Sequence, residues 1–352
     1  MHIALACNMR ADGEKDQPPS SGAQTATDLY AEWDDAQTIQ AVASALASRH
    51  QVSVVQADPD AFEIFRRLRP DLVFNMAEGL HGASREAQIP AMLEMLQIPY
   101  TGSDPLTLGI CLDKYRTKEI LGYHRIPTPA FALVESPEQV PAELRYPLMV
   151  KPPLEGSSKG ITDSSLVHNA DELAREIRRI RSNYGQPSLV EEFLRGREFT
   201  VALLGNGSAL RVLPIVEIDF ATLPAGANPI YSYEAKWLWD SEDAPLDIFH
   251  CPAPLDPPLR RAIEDLCRKA FHHLGCRDWC RIDVRLDRDG APQIIEVNPL
   301  PGVLPRPEQN SCFPKAARAA GLTYEEMINE VVNAACARLG LVEKTHARCC
   351  LP

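Results

Sequence analysis

The sequence predicts an α/β protein of three units, and three observations predict it. The first hundred residues alternate strand-like and helix-like patterns, as a parallel sheet covered by helices requires. From about residue 105 the alternation gives way to mixed strands and helices, which reads as α+β. The chain has 352 residues, more than one ordinary core accommodates. The expected limits are 1–104 for an N-terminal parallel α/β unit, 105–195 for a central α+β unit and 196–342 for a C-terminal α+β unit. A frayed tail is expected at 343–352.

In order, "HIALAC" is a first buried strand. In "DDAQTIQAVASALASRH", Ile39, Val42, Ala43 and Leu46 fall at i, i+3, i+4 and i+7, so this is a helix packed on a sheet, with Asp34 or Asp35 as its N-cap. "QVSVVQA" follows as strand, "DAFEIFRRLR" as helix, "PDLVFNM" as strand and "REAQIPAMLEMLQ" as helix before "IPYTGSD". The second section reads helix over "LDKYRTKEILGYH", strand over "PLMVKP", helix over "DELAREIRRIRSN" and strand over "PSLVEEFL", with "REFTVALLGNG" leading into another strand. From about Val212 come the loop "NPIYSYEAKWLWD", a helix over "LRRAIEDLCRKAFHHLG", a hairpin and a last helix over "TYEEMINEVVNAACARLG". The hairpin is "CRDWCRIDVRLDRDGAPQIIEVNPLPG": Ile282, Val284 and Leu286 alternate with Arg281, Asp283 and Arg285, and Asp289-Gly290 marks the turn.

Composition removes several classes. A hydrophobic share of 45% with 24% charged residues is ordinary for a soluble globular protein. No run of about 18 apolar residues could span a bilayer, and "MHIALACN" reads as a strand rather than a secretory signal. The formal charge of -12 argues against a nucleic-acid surface, which would need clustered basic residues. Ten scattered cysteines, without disulfide-framework or zinc spacing, point to reduced thiols and a cytoplasmic protein. Thirty prolines concentrate in connections such as residues 253–258 and 299–307, which they stiffen.

Three stretches carry chemistry. In "IIEVNPLPG", Pro299 ends the strand, and Glu296 and Asn298, two apart, leave the same face. Pairing across the hairpin brings Asp283 beside them, with Arg281 on the same face. Three oxygen-bearing side chains so placed suit Mg²⁺, although an Asx-type turn at Asn298 has the same local signature. "KPPLEGSSKG", residues 151–160, follows a strand and holds two glycines, two serines and two lysines. Such a loop covers phosphates with N–H groups and hydroxyls, but it is not a P-loop, and a flexible surface hairpin has the same composition. "LVEEFLRGREFTV" offers a backbone edge for an adenine and a carboxylate, Glu198, for a ribose; its alternative is a solvated acidic face.

Taken together, "IPYTGS", "LDKYRTK", "VKPPLEGSSKG", "EEFLRGREFTV", "YSYEAKW", "CRIDVRLD" and "IIEVNPLPG", which span nearly the whole chain, resemble the ATP-grasp superfamily and, within it, the D-alanine–D-alanine ligases. The resemblance implies a three-domain ATP-grasp architecture and an ADP-forming ligase. It implies that Lys114 and Lys151 contact nucleotide phosphates, with Ser158 of the glycine-rich loop among the nucleotide-binding residues. Glu191, Glu192, Phe193 and Leu194 would line the adenine site and Glu198 would hold the ribose. Asp283, Glu296 and Asn298 would bind two Mg²⁺ ions, for which Mn²⁺ could substitute, and Arg281 and the Gly302 N–H would face a developing oxyanion. Ser157 and Lys236 complete the catalytic set, with Glu86, Trp237 and Ser311 as substrate-binding residues. By analogy the protein would be a homodimer.

The likeness breaks where the amino-acid substrates would sit. The family's Gly-Gly-x-Ser-x-Glu segment is absent after the first strand; Glu32, Asp34 and Asp35 are the acids available there. Glu78-Gly79 stands where the family has His-Gly, with a longer approach to Glu86. Trp237 replaces a tyrosine whose hydroxyl would bond Ser157, and four extra residues separate Gly302 from Ser311. A changed pocket implies changed substrates. The expectation is an ATP-dependent ligase joining a small carboxylate donor, an amino acid or relative, to an amine other than as two D-alanines. A genuine cell-wall ligase and a non-catalytic ATP-binding relative are the alternatives.

Overall fold

The computed structural model describes residues 1–10, 30–239 and 246–341. β1 (His2–Cys7), α1 (Ala36–Ala47), β2 (Gln51–Gln56), α2 (Ala61–Leu68) and β3 (Leu72–Asn75) build a parallel sheet of order β2-β1-β3. β1 is central and fully buried from Ile3 to Cys7. Its continuous apolar run therefore marks a strand covered on both faces. Asp35 is the N-cap of α1, accepting from Thr38 N at 2.6 Å, and Asp34 is left for other duty. α3 (Gln88–Leu96) follows a short 3₁₀ turn, and Tyr100 then bridges to Val73 in parallel at the sheet edge.

α4 (Pro105–Leu112) and α5 (Lys114–Tyr123) lead to the second sheet. α4 is not evident in the sequence because "PLTLGICL" has no polar face to set a period; Asp104 caps it, accepting from Thr107 N at 2.8 Å. β4 (Phe131–Val134), β5 (Leu148–Lys151), β6 (Leu166–Val167), α6 (Ala170–Tyr184) and β7 (Ser188–Glu192) form an antiparallel sheet, order β4-β7-β5-β6. α6 covers it through Leu173, Ile177 and Ile180.

The third sheet holds β8 (Glu198–Leu204), β9 (Arg211–Val212), β10 (Val216–Ile218) and β11 (Phe249–His250). After α7 (Pro257–His273) come β12 (Trp279–Leu286) and β13 (Pro292–Asn298), then α8 (Cys312–Ala319) and α9 (Tyr324–Leu339). The order is β11-β10-β8-β12-β13, with β9 paired to β8, and every pairing is antiparallel. α9 has a full capping box, Thr323 with Glu326, and ends at Gly340 in the left-handed region. α8, unexpected from sequence, tolerates Pro314 because that residue falls in its first turn. Among the described residues no helix is long and apolar enough to cross a membrane.

Beyond the apolar core they share, Trp279 and Asp278 tie the first and third sheets together. Trp279 packs edge-on against Phe74 and Phe313, with ring centroids 5.6 Å away in each case. Beside it, Asp278, with no exposed side-chain surface, receives Arg338 Nη2 at 2.7 Å and Nε at 2.9 Å. Gly102 N and Asn206 Nδ2, each at 2.8 Å, complete its partners. Arg338 also reaches Tyr100 O, so one carboxylate joins the edge of the first sheet, the end of β8 and α9. Asp278→Asn retains a side chain that tolerates the backbone φ of 64° there but strips the charge from Arg338. Denaturant unfolding should show a loss of about 3 kcal/mol; an unchanged midpoint would contradict this role.

Candidate active site

The acidic hairpin forms as an antiparallel pair in which Asp283 lies opposite Glu296 and Arg281 opposite Asn298. The register shifts between Asp283 and Val284, because Ile295 is an extra residue on β13. That bulge, invisible in the alternation of the sequence, re-aims the strand end where the polar side chains gather. Asn298 Nδ2 donates to Asp283 Oδ2 at 3.3 Å, and Arg281 Nε and Nη2 reach Asp283 at 3.1 and 3.0 Å. Asp283, Glu296 and Asn298 thus present hard oxygen donors at one strand end, a set that fits Mg²⁺ sharing its remaining positions with water and phosphate.

Buried lysines frame this end. Lys114 Nζ lies 2.8 Å from Glu296 Oε1. Lys151 Nζ lies 2.6 Å and Lys118 Nζ 2.8 Å from opposite oxygens of Glu191. Burial works against the Glu296 carboxylate, yet Lys114, Arg281 and Lys151 outweigh it and hold it down to about 2. The same contest lowers Glu191, where Lys118 and Lys151 prevail over burial. Neither acid lies on a solvated face. Lys118 was missed in the sequence, although its i+4 spacing from Lys114 on α5 puts the two on one helix face.

The loop after β5 turns through two serines in the left-handed region, Ser157 at φ 48° and Ser158 at φ 60°. Ser158 Oγ donates to Tyr231 O at 2.9 Å, and Tyr233 N to Ile161 O at 2.8 Å, so the segment before Lys236 is docked on the glycine-rich loop. Lys236 sits in a π-helical turn, Ala235–Trp239; burial, with Arg281 nearby, pushes its ammonium down to about 8. Across the cavity Glu198 pairs with Arg285 at 2.7 Å, and the Arg285 guanidinium lies 4.5 Å over the Phe193 ring. Phe193, Leu194, Met149 and Ile295 give that wall an apolar character suited to a purine.

At the opposite end Glu32 is fully engaged: Arg85 Nη2 reaches its oxygens at 2.7 and 3.0 Å, Gly156 N donates at 2.8 Å and Lys159 Nζ lies at 3.5 Å. Burial opposes the charged form, but Arg85 and Lys159 keep its pKa lowered. Glu86, only 8% exposed, has no hydrogen bond or ion pair among the described residues, and burial with Glu32 nearby raises its pKa to about 8. Glu78 is likewise unpartnered among the described residues, and burial and Glu86 raise it well above the carboxylate range. Asp34 is pushed up to about 7, chiefly by burial and then by Asp35.

One cavity of about 330 Å³ joins all of this, a size suited to small-molecule ligands. Arg281, Gly302, Ser157, Lys236, Lys114, Lys151, Ser158, Glu191, Glu192, Phe193, Leu194, Glu198, Asp283, Glu296, Asn298, Glu86 and Ser311 all line it. The Trp237 side chain lies outside the described residues. The Ser311 hydroxyl is engaged by its own loop, donating to Gly302 O at 3.1 Å and accepting from Leu304 N at 3.3 Å, so it shapes the segment carrying Gly302. His272 and His273, at the exposed end of α7, are not among the residues lining the cavity.

Residues 123–333 match the family model described as "D-ala D-ala ligase C-terminus". The chain is 35% identical over 317 residues to a D-alanine--D-alanine ligase of Pelotomaculum thermopropionicum, covering 86% of this chain and 92% of that protein. It is 36% identical over 270 residues to a D-alanine--D-alanine ligase of Bordetella petrii, covering 76% of each. An uncharacterized Sinorhizobium fredii protein, y4sG, is 33% identical over 351 residues, covering 95% of this chain and 97% of that one. In fold, the chain resembles a crystal structure of D-alanine--D-Alanine Ligase from Bacillus anthracis complexed with ATP, with a TM-score of 0.70 at 23% identity, covering 96% and 97%. The chain belongs to the D-alanine–D-alanine ligase family and is an ATP-grasp, ADP-forming ligase.

Proposed function

We propose that this ligase forms an amide bond between a carboxylate donor and an amine that are not two D-alanines. The observation that carries the reading is the acid-lined end of the cavity. Glu32, which touches the glycine-rich loop, is already bound by Arg85 and Gly156 N, while Glu78 and Glu86 stand unpartnered among the described residues. A pocket whose buried polar groups differ from those a substrate needs rejects that substrate strongly.

In the reaction, a donor carboxylate oxygen attacks the γ-phosphorus of ATP and ADP leaves. The amine nitrogen then attacks the acyl carbon, and inorganic phosphate departs as the nitrogen loses a proton. Lys114 and Lys151 hold charge next to the phosphates, and Phe193 and Leu194 receive the base, with Glu198 at the ribose. Asp283, Glu296 and Asn298 would hold Mg²⁺, which neutralises phosphate charge in the transfer. Arg281 and the Gly302 N–H act as donors to the oxyanion, where one such donor is worth about 3 kcal/mol. Lys118 does not reach the cavity; it positions Glu191 and, through it, Lys151.

Three outcomes are expected. ADP release measured across paired D- and L-amino acids, with mass analysis of products, should be weak with D-alanine alone and strong with another donor and acceptor; rapid turnover with D-alanine alone overturns the reading. Asp283→Asn should lower kcat by at least about a hundredfold while leaving the melting temperature within a few degrees. Lys236, held near 8 instead of 10.5, loses its positive charge as pH rises through about 8. The kcat profile should therefore fall on that limb, and Lys236→Arg should move the limb to higher pH; an unmoved limb assigns it elsewhere.

A further inference from the structure

The unpaired carboxylates point to what the donor pocket takes. Every cation beside them is already committed: Arg85 to Glu32 at 2.7 Å, Lys159 to Glu155 at 2.8 Å and Lys114 to Glu296 at 2.8 Å. Arg10, the remaining basic group on this wall, acts on Asp34. Glu86, more than nine-tenths buried, and Glu78 thus face the cavity with no hydrogen bond or ion pair among the described residues, and only Arg85, with Lys114 for Glu86, acts on them from farther off. A metal does not resolve this, because among the described residues no three His, Cys, Asp or Glu side chains converge to hold one. An organic ligand that spreads its positive charge over two sites does.

We propose that the donor substrate is a diamino acid, whose α-ammonium and side-chain ammonium are received by Glu86 and Glu78, with Asp34 beside the second. The proposal rests on the ligase reading for the placement of the donor at this end of the cavity. A monoamino acid has one ammonium and would leave one of the two carboxylates unanswered in a buried site. The trait also carries a cost in the empty protein, where Glu78 stands against Glu86, Glu32 and Asp34. Such strain at a binding site is relieved by the ligand that fits it.

The test is calorimetric titration of the full chain with D- and L-ornithine and with norvaline of matched length and configuration, each with and without Mg²⁺ and a non-hydrolysable ATP analogue. One ornithine enantiomer should bind at least roughly tenfold more tightly than the corresponding norvaline, the worth of one added charge-assisted contact. Glu78→Gln should reduce that ratio to near one and raise the melting temperature of the ligand-free protein, which also shows the variant folded. Glu86→Gln should weaken both ligands, since each carries the α-ammonium, and leave the ratio standing; a ratio lost in Glu86→Gln but kept in Glu78→Gln overturns the assignment. Equal affinity for ornithine and norvaline, no binding of either, or a ratio that survives Glu78→Gln overturns the proposal. Failure of the ATP analogue to bind overturns the ligase reading instead, and the titrations without nucleotide distinguish the one failure from the other.

Discussion

A buried ammonium must have a carboxylate, and much of this structure follows from meeting that requirement several times in one place. Lys114 and Lys118 come from α5, Lys151 from β5, Glu191 from β7 and Glu296 from β13. None of these side chains could be buried alone without several kcal/mol of desolvation, so the elements that carry them are drawn together. The result is a cavity floor of alternating charge shared by the second and third sheets. The cavity acquires the positive charge of this end from the same pairs that keep the parts of the protein in register. Arg281 between Asp283 and Asn298 extends the pattern along β12.

What was legible in the sequence was local. The β12–β13 hairpin is readable because strand alternation, an Asp-Gly turn and a proline stop fall within a span of thirty residues. The loop of residues 151–160 is readable for the same reason, and so is α9 from its capping box. Whatever depends on distant partners was hidden. Lys118 gains its meaning only from Glu191 on another element, and the bulge at Ile295 shows no signature in a run of apolar residues. α4 escaped because a helix apolar on every side has no period to detect.

The two ends of the cavity differ in their electrostatic balance. Around Glu191 and Glu296, charges are matched one to one or nearly so. At the acid-lined end, carboxylates outnumber the cations not already paired, and buried Glu86 and half-buried Glu78 are held against their neighbours. The fold tolerates this because its stabilising contacts lie elsewhere, in the Trp279 stack and the Asp278 clasp. Local preference and global fold agree throughout most of the chain and part company at the acid-lined end of the cavity.

The contact between Glu32 and the glycine-rich loop has a further implication. A Cβ on Gly156 would stand 2.4 Å from Glu32 Oε1, so a larger residue at 156 would push the Glu32 carboxylate out of its present place. The two positions are 124 residues apart, one before the first helix and the other in the glycine-rich loop after β5. They nonetheless depend on each other physically. A substitution that moved Glu32 would open space at 156, and one that filled 156 would push the Glu32 carboxylate away from Gly156 N and Arg85, so changes at the two positions would not add independently.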